Sequence, residues 1–125
     1  MAVREVLKLG NPRLYEVSAP VSKEEIPALR TVIQDLHDTL MDFRAAYGAG
    51  RAIAAPQIGV MKRMIYVHVT EPVAFVNPAL TALSADMMEV WTIACASRTC
   101  WSRCYGTGRA ASCTGIWNGT SARWT

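Results

Sequence analysis

We predict an α+β fold for this chain from three observations along residues 1–91. An amphipathic helix is indicated near residues 27–46, segments rich in β-branched and aromatic residues follow it, and a stretch of small residues lies between them. At 125 residues the chain is long enough for one domain with one hydrophobic core, since domains of roughly 100 to 150 residues are the commonest size.

The residues before the helix predict an extended segment. Residues 3–21 alternate short apolar groups with Gly10-Asn11-Pro12 and Ala19-Pro20, which is typical of turns. We expect this segment to wrap over the rest of the domain. Ser22, followed three residues later by Glu25, has the spacing of a capping box at the start of a helix.

The helix is the element most clearly visible in the sequence. Its apolar positions recur at steps of four and three residues, as in a helix with one buried face, and they are Leu29, Ile33, Leu36, Leu40 and Phe43. Pro27 predicts that the regular part begins near that residue, because proline is accepted in the first helical turn. Gly48 and Gly50 predict its end, since glycine adopts the positive φ of a helix C-cap without steric cost.

Strands are predicted after the helix. Residues 63–69 have the β-branched and aromatic composition of a strand, and residues 73–76, before Asn77-Pro78, predict another. Residues 79–91 predict a further strand with a turn near residues 84–86. Beyond Trp91 neither the helical nor the strand period is visible, and the segment is biased in composition.

The stretch between helix and strand has chemistry of its own. Residues 50–59 read Gly-Arg-Ala-Ile-Ala-Ala-Pro-Gln-Ile-Gly, and the amide of Gln57 can donate a hydrogen bond to a developing oxyanion. A ligand backbone could approach the chain closely at the four small residues Gly50, Ala52, Ala54 and Ala55. Taken alone, such a loop favours simple tight packing and an ordinary loop amide.

The order of the segments around this stretch favours membership of a known protein family over simple tight packing. Residues 50–57 resemble the first signature of peptide deformylases, G-x-G-x-A-A-P-Q, with Ala52 where the second glycine is usual. Residues 9–14 resemble the family's opening segment, and residues 75–78 resemble its I-N-P strand end. The resemblance covers about residues 5–91.

The resemblance implies antiparallel sheets around a central metal-bearing helix. It also implies a metal-dependent hydrolase, with iron, zinc or nickel, that removes the N-formyl group from the initiator methionine of ribosome-associated nascent chains. Gln57 would help to polarise the formyl carbonyl. Gly50, Arg51 and Ala52 would bind the formyl-methionyl peptide, with the backbone at Arg51 and Ala52 pairing with it like a neighbouring strand.

The residues that hold the family's metal are missing from their expected places. The family uses one Cys from a second signature, E-G-C-L-S, and two His from a helical H-E-x-x-H whose Glu is the general base, and no H-E-x-x-H occurs here. His37 and His68 fall on the predicted helix and a predicted strand, where we expect surface or core roles. Cys95 is the nearest candidate ligand. We therefore expect the central helix to be missing, no metal to be bound and no turnover.

The composition changes abruptly after Trp91. Residues 92–125 hold four Arg, all four Cys and three of the four Trp, but no Asp, Glu, Leu, Val or Lys, which is abnormal for a folded domain. One extra base before codon 92 would let the same stretch encode a cysteine-bearing second signature. We hypothesise that a single-base loss shifted the reading frame. Residues 1–91 would then be the deformylase-like part, and residues 92–125 an atypical tail, frame-shifted or poorly ordered.

Two other functions remain open. A non-enzymatic interaction protein could keep a peptide groove, or use the Arg and Trp of the tail on nucleic acid. The Arg are diluted among Ser, Thr and Gly, so nucleic-acid binding is not expected. A metal or redox module on the four Cys ranks last, because their spacing lacks the paired C-x-x-C of zinc sites. The amino terminus lacks a signal sequence and a long apolar run, so we expect a cytoplasmic protein without a membrane partner.

Overall fold

The computed structural model of this chain describes residues 2–79 and the backbone of four later strands. The described part contains one α-helix, α1 (Ile26–Tyr47), and short 3-10 turns at Pro12–Tyr15, Lys23–Glu25 and Ala55–Ile58. Its strands are β1 (Ala52–Ala54), β2 (Met64–His68), β3 (Pro72–Ala79), β4 (Met87–Thr92), β5 (Ser102–Thr107), β6 (Ser112–Trp117) and β7 (Ala122–Trp124).

The strands form two antiparallel sheets. One sheet has the order β1-β2-β3-β6-β7, with β1 at one end, and the other consists of β4 and β5. The register places Ile53 opposite Tyr66, and Tyr66 opposite Ala74, so these side chains share one face of the sheet. One helix on antiparallel sheets confirms the predicted α+β class.

The predicted helix is confirmed, and α1 extends one residue beyond each predicted bound. All five residues of the apolar stripe are buried, and Leu36 and Leu40 are 0% exposed. Burying one such side chain stabilises a fold by roughly 1.5–3 kcal/mol, so this face holds α1 against the sheet. Gly48 caps the helix at φ 66°, and its N–H donates to the carbonyl oxygen of Arg44 at 2.8 Å.

One hydrophobic core lies between α1 and the sheet. The stripe of α1 packs there with buried residues of the first three strands and the adjoining turn, which are Ile53, Ala55, Met64, Tyr66, Ala74 and Val76. Alternate residues of β2 and β3 supply these side chains, as the period of a strand requires. Val6 and Val21, from the segment before α1, complete the core.

The segment before α1 wraps over the domain, as predicted. The backbone N–H of Ala2 donates to Oδ1 of Asp35 at 2.9 Å, and Nε of Arg4 donates to Oδ2 at 2.8 Å. Burial alone would raise the pKa of Asp35, but the hydrogen bonds from Arg4 and Ala2 and the charge of Arg4 outweigh burial and lower it. Asp35 is therefore a buried anchor for the amino-terminal residues.

The capping box predicted at Ser22 and Glu25 is also confirmed. The backbone N–H of Ser22 donates to Oε2 of Glu25 at 2.9 Å, and Nζ of Lys62 lies 2.6 Å from Oε1. The box caps the short 3-10 turn from which α1 continues. The start of α1 is thus joined to the residues just before β2.

Three strands lie where no period was visible in the sequence. They are β5, β6 and β7, and β6 pairs with β3 so that Val76 faces Gly115. These strands are rich in Ser, Thr, Gly and Cys, and their apolar and polar residues do not alternate. The hydrophobic periodicity of the sequence therefore could not indicate these strands. β4 overlaps the end of the strand predicted at residues 79–91, whereas the turn predicted near residues 84–86 falls outside the described residues. Within the described part, no helix has the length and apolarity to cross a bilayer.

Candidate functional site

The small-residue motif folds as a short strand followed by a tight turn. Ala52–Ala54 form β1, Ala55–Ile58 form the 3-10 turn, and Gly59 ends the turn at φ 82°. Pro56 at the start of this turn has the fixed φ that a 3-10 turn accepts. Ala55 is 0% exposed, so a small residue there is required by packing against the core. The turn carries Gln57 beside the end of β1.

The side chain of Gln57 is held in one orientation. Its Oε1 accepts a hydrogen bond from the backbone N–H of Ala54 at 2.8 Å, and its carbonyl oxygen accepts from the N–H of Leu7 at 2.8 Å. Because a backbone N–H can bond only to an acceptor, the amide oxygen must face Ala54. The amide NH₂ is thereby left to donate elsewhere, and the residue is half-buried.

Gly50 owes its size to packing on α1. It adopts φ 131°, and a Cβ built there would lie 3.1 Å from Cδ1 of Phe43 and 3.4 Å from Cδ1 of Leu40. Positive φ of this kind suits glycine alone. A close approach to the helix thus accounts for the glycine, independently of any ligand.

Arg44, which belongs to no sequence motif, positions the start of the small-residue motif. Its Nε and Nη2 donate to the carbonyl oxygen of Gly50 at 3.0 and 2.8 Å, and Nη2 also donates to the carbonyl oxygen of His68 at 2.5 Å. The only available signal was a basic residue in the last turn of a predicted helix, where free carbonyls attract cations. Arg44 joins the end of α1 to both β1 and β2.

An open cleft adjoins these residues. Its volume is about 230 Å³, and it is lined by Arg44, residues 48–51, His68 and Val69. The backbone N–H of His68 donates to the carbonyl oxygen of Arg51 at 2.8 Å, which closes the ladder between β1 and β2 at this end. Gly50 and Arg51, which were predicted to bind substrate, lie in the cleft wall, and Ala52 follows as the first residue of β1.

The two histidines come together, which the sequence did not indicate. The ring centroids of His37 and His68 are 5.5 Å apart, and Nδ1 of His37 lies 2.7 Å from the hydroxyl of Tyr66. Burial raises the pKa of Tyr66; the charge of Arg44 opposes this and that of Asp38 adds to it. Nδ1 of His68 is buried and has no hydrogen-bond partner in the described part of the chain.

This cluster does not match the donor set that the family resemblance implies. Among residues that the structure describes, no group of three or more His, Cys, Asp or Glu side chains could hold a metal ion. The pair His37 and His68 comes with the hydroxyl of Tyr66 and not with a thiolate. Cys95 lies outside the described residues. The residues that are described therefore do not fit the implied metal.

The fold and the motif define the class of protein. The structure superposes on a peptide deformylase from Legionella pneumophila with a TM-score of 0.76 and 25% sequence identity, covering 92% of this chain and 64% of that one. It superposes on the class I type b peptide deformylase from Acinetobacter baumannii with a TM-score of 0.80 and 22% identity, covering 100% and 83% of the two chains. These proteins share its α+β fold.

Sequence comparison identifies the family. The polypeptide deformylase family model matches residues 3–98. Peptide deformylase 1 of Prochlorococcus marinus is 35% identical over 103 residues, covering 73% of this chain and 51% of the relative. This chain therefore belongs to the polypeptide deformylase family, which confirms the resemblance of residues 50–57. It spans about half the length of the curated relatives it matches.

Proposed function

We propose that this chain supplies the substrate-facing part of a peptide deformylase, which removes the N-formyl group from the initiator methionine of nascent polypeptides. The observation that supports this most directly is the bond from Ala54 N–H to Oε1 of Gln57, which leaves the amide NH₂ as a fixed donor. A donor held in place before reaction can polarise a carbonyl without reorganising. Gln57 would thus bind the formyl oxygen.

We place the peptide along β1. Among the described strands, β1 is an edge strand of its sheet. Gly50, two residues before its start, is held by hydrogen bonds from Arg44. A peptide could add to this edge as a further strand, with the backbone of Gly50, Arg51 and Ala52 as its binding surface. Backbone held in advance lowers the entropy cost of binding. The peptide's formylated end would then reach Gln57.

We propose that the chain in its present sequence binds such peptides without turnover. The family's divalent metal, iron, zinc or nickel, would supply an activated water. The sequence contains no H-E-x-x-H, and the donors among residues 2–79 do not fit such an ion. We therefore assign to these residues only binding and polarisation of the formyl group.

Two assays on the full chain test this proposal. The first measures formate release from formyl-Met-Ala-Ser with added iron, nickel or zinc, and robust turnover would contradict the proposed inactivity. The second measures binding of a fluorescent formyl-Met-Ala-Ser peptide by anisotropy. Gln57→Glu keeps an acceptor for Ala54 N–H but removes the donor, so we expect binding to weaken by about tenfold, as the loss of a hydrogen bond costs roughly 1–3 kcal/mol.

Gln34→Glu is the matched control for Gln57→Glu. Gln34 lies on α1 and donates to Oδ1 of Asp38 at 2.9 Å, on the helix and apart from the motif. We expect it to bind the peptide as the unchanged chain does. If the Gln57→Glu variant bound the formylated peptide as tightly as this control does, the proposed role of Gln57 in binding would be wrong.

A second candidate is a peptide-binding protein that is not an enzyme. It would use the same β1 edge, so the discriminating reagent is the peptide without its formyl group. A deformylase site with a fixed donor at Gln57 should prefer the formylated peptide, whereas strand addition alone should bind both peptides equally.

We also propose that the protein acts in the cytoplasm on ribosome-associated chains.

We propose further that the deformylase-like part of the chain ends at Trp91. The reason for this boundary is the change of composition at residues 92–125. Resequencing the gene across codon 91 tests it. A deformylase second signature in the neighbouring frame would support the frame shift, and its absence would remove the hypothesis.

A further inference from the structure

The cleft beside β1 carries an unusual balance of charge. Two arginines, Arg44 and Arg51, line it, and none of the described residues in its wall is acidic. Arg44 directs Nε and Nη2 to backbone carbonyl oxygens, so its charge is held in place while Nη1 takes no part in these bonds. Arg51 is exposed. The cleft is therefore a small cationic site.

The cleft lies next to the start of β1, where it could receive a side chain of a peptide bound along that strand. Arg51 directly precedes the strand, and its carbonyl oxygen is bonded to the backbone N–H of His68 across the ladder. The volume of about 230 Å³ is below the roughly 300–1,000 Å³ of sites for small molecules. It is suited to one side chain.

We propose that this cleft binds the side-chain carboxylate of an acidic residue just after the formyl-methionine, so that the site prefers acidic peptides. This inference rests on the proposed function, because it requires a peptide along β1. Arginine presents planar pairs of N–H donors that match a carboxylate, and such charge-assisted bonds are stronger than neutral ones. A glutamine of the same shape would lack the charge.

The carboxyl end of α1 repels an anion in the cleft, but this repulsion is weaker than the attraction by the two arginines. The carboxyl end of a helix carries about half a negative charge. Arg44 and Arg51 bring two full positive charges to the same cleft. The carbonyl oxygens of Gly50 and His68, two residues of the cleft wall, already accept hydrogen bonds from Arg44. The local field consequently favours a carboxylate.

The test compares matched peptides on the full chain. Fluorescein-labelled formyl-Met-Glu-Ala-Ser and formyl-Met-Gln-Ala-Ser, with formyl-Met-Ala-Glu-Ser and formyl-Met-Ala-Gln-Ser, are titrated by anisotropy at low salt. All four carry the same label and a carboxy-terminal amide, so that within each pair the two peptides differ only in whether one side chain carries a carboxylate. We expect formyl-Met-Glu-Ala-Ser to bind about fivefold more tightly than formyl-Met-Gln-Ala-Ser, and this ratio to fall as salt is added. The second pair, in which Ala follows the methionine, should show a smaller ratio; an equal or larger ratio there would contradict the proposed position of the acidic residue.

Variants of Arg51 assign the preference to the cleft. In Arg51→Gln we expect the ratio of Glu to Gln affinity to approach one, and in Arg51→Lys we expect part of it to remain. Arg30→Gln is the control. Arg30 is exposed on the first turns of α1, and its substitution removes the same charge as Arg51→Gln. We expect this control to keep the fivefold ratio.

The outcomes separate this inference from the proposed function. If formylated peptides bind but Glu and Gln partners bind equally, or if Arg51→Gln and Arg30→Gln change the ratio equally, the cationic cleft is overturned and the peptide site stands. If none of the four peptides binds, both are overturned.

Discussion

His37 of α1 and Tyr66 of β2 are joined by a hydrogen bond of 2.7 Å between Nδ1 and the phenol oxygen. Tyr66 is 1% exposed, so its hydroxyl needs a partner inside the protein. The ring centroid of His68 lies 5.5 Å from that of His37 and 6.5 Å from that of Tyr66. The buried Nδ1 of His68 has no hydrogen-bond partner among the described residues. Among the described residues, the contact between helix and sheet thus includes the hydrogen-bonded pair His37 and Tyr66 and one polar atom, Nδ1 of His68, without a partner.

Tyr66→Phe should lower the free energy of unfolding by about 1 kcal/mol, the usual net value of a hydrogen bond. The substitution keeps the buried ring and removes only the hydroxyl that meets His37. Urea unfolding followed by circular dichroism measures the change. Tyr15→Phe is the control, since Tyr15 is 80% exposed, and an equal effect of both substitutions would contradict this role for the Tyr66 hydroxyl.

The same residue predicts a loss of stability in alkali. Burial, aided by Asp38 and opposed by Arg44, raises the pKa of Tyr66 above its ordinary 10.0, so the folded chain holds the phenol proton more tightly than the unfolded chain. This contribution to stability is complete below about pH 10 and is lost as the pH rises through the raised pKa. The free energy of unfolding should therefore fall more steeply above about pH 10 in the unchanged chain than in Tyr66→Phe. Parallel curves would disprove this.

Asp35→Asn should destabilise the fold by about 2 kcal/mol at neutral pH, because it weakens charged hydrogen bonds to Arg4 and Ala2. The pKa of Asp35 is lowered, so its contribution is complete above the ordinary value of about 3.9 and disappears as the pH falls through the lowered pKa. The difference between Asp35→Asn and the unchanged chain should shrink in acid. Asp42→Asn, at an exposed position of α1, is the control and should leave the free energy of unfolding at neutral pH nearly unchanged.

Gly50→Ala should destabilise the fold by more than Gly10→Ala. Both glycines have positive φ, at 131° and 94°, so either alanine is strained, at a cost of order 1–3 kcal/mol. Only at Gly50 does the new methyl group also meet Phe43, at 3.1 Å, whereas nothing lies within 4 Å of it at Gly10. Urea midpoints compare the two variants. Equal losses would show that Phe43 can move aside.

Asn77→Ala should cost about 3 kcal/mol, because it removes two hydrogen bonds and places alanine at a positive φ. Asn77 has φ 51°; its Oδ1 accepts from the N–H of Val21 at 2.7 Å, and its Nδ2 donates to the carbonyl oxygen of Val21 at 2.8 Å. Thermal and urea unfolding measure the loss. Asn11→Ala removes one exposed bond, to Arg13 N–H, and should cost less than half as much.

The sequence alone determined the elements whose signals are local. The steps of three and four residues from Leu29 to Phe43 predicted α1 and its buried face, because neighbours on a helix share that face whatever the rest of the chain does. Ser22 with Glu25 and the glycine at Gly48 marked its ends for the same reason. The motif at residues 50–57 indicated the family before any contact was known.

Only the tertiary structure decided how distant residues meet. His37 bonds to Tyr66 over 29 positions, Arg4 to Asp35 over 31, and Val21 to Asn77 over 56. Arg44 was an ordinary basic residue near the end of a helix until folding brought the carbonyl oxygens of Gly50 and His68 to it. The pairing of β6 with β3 likewise rests on backbone hydrogen bonds, which leave no apolar period in the sequence. Periodicity records what a residue shares with its chain neighbours, whereas these contacts depend on the packing of α1 against the sheet.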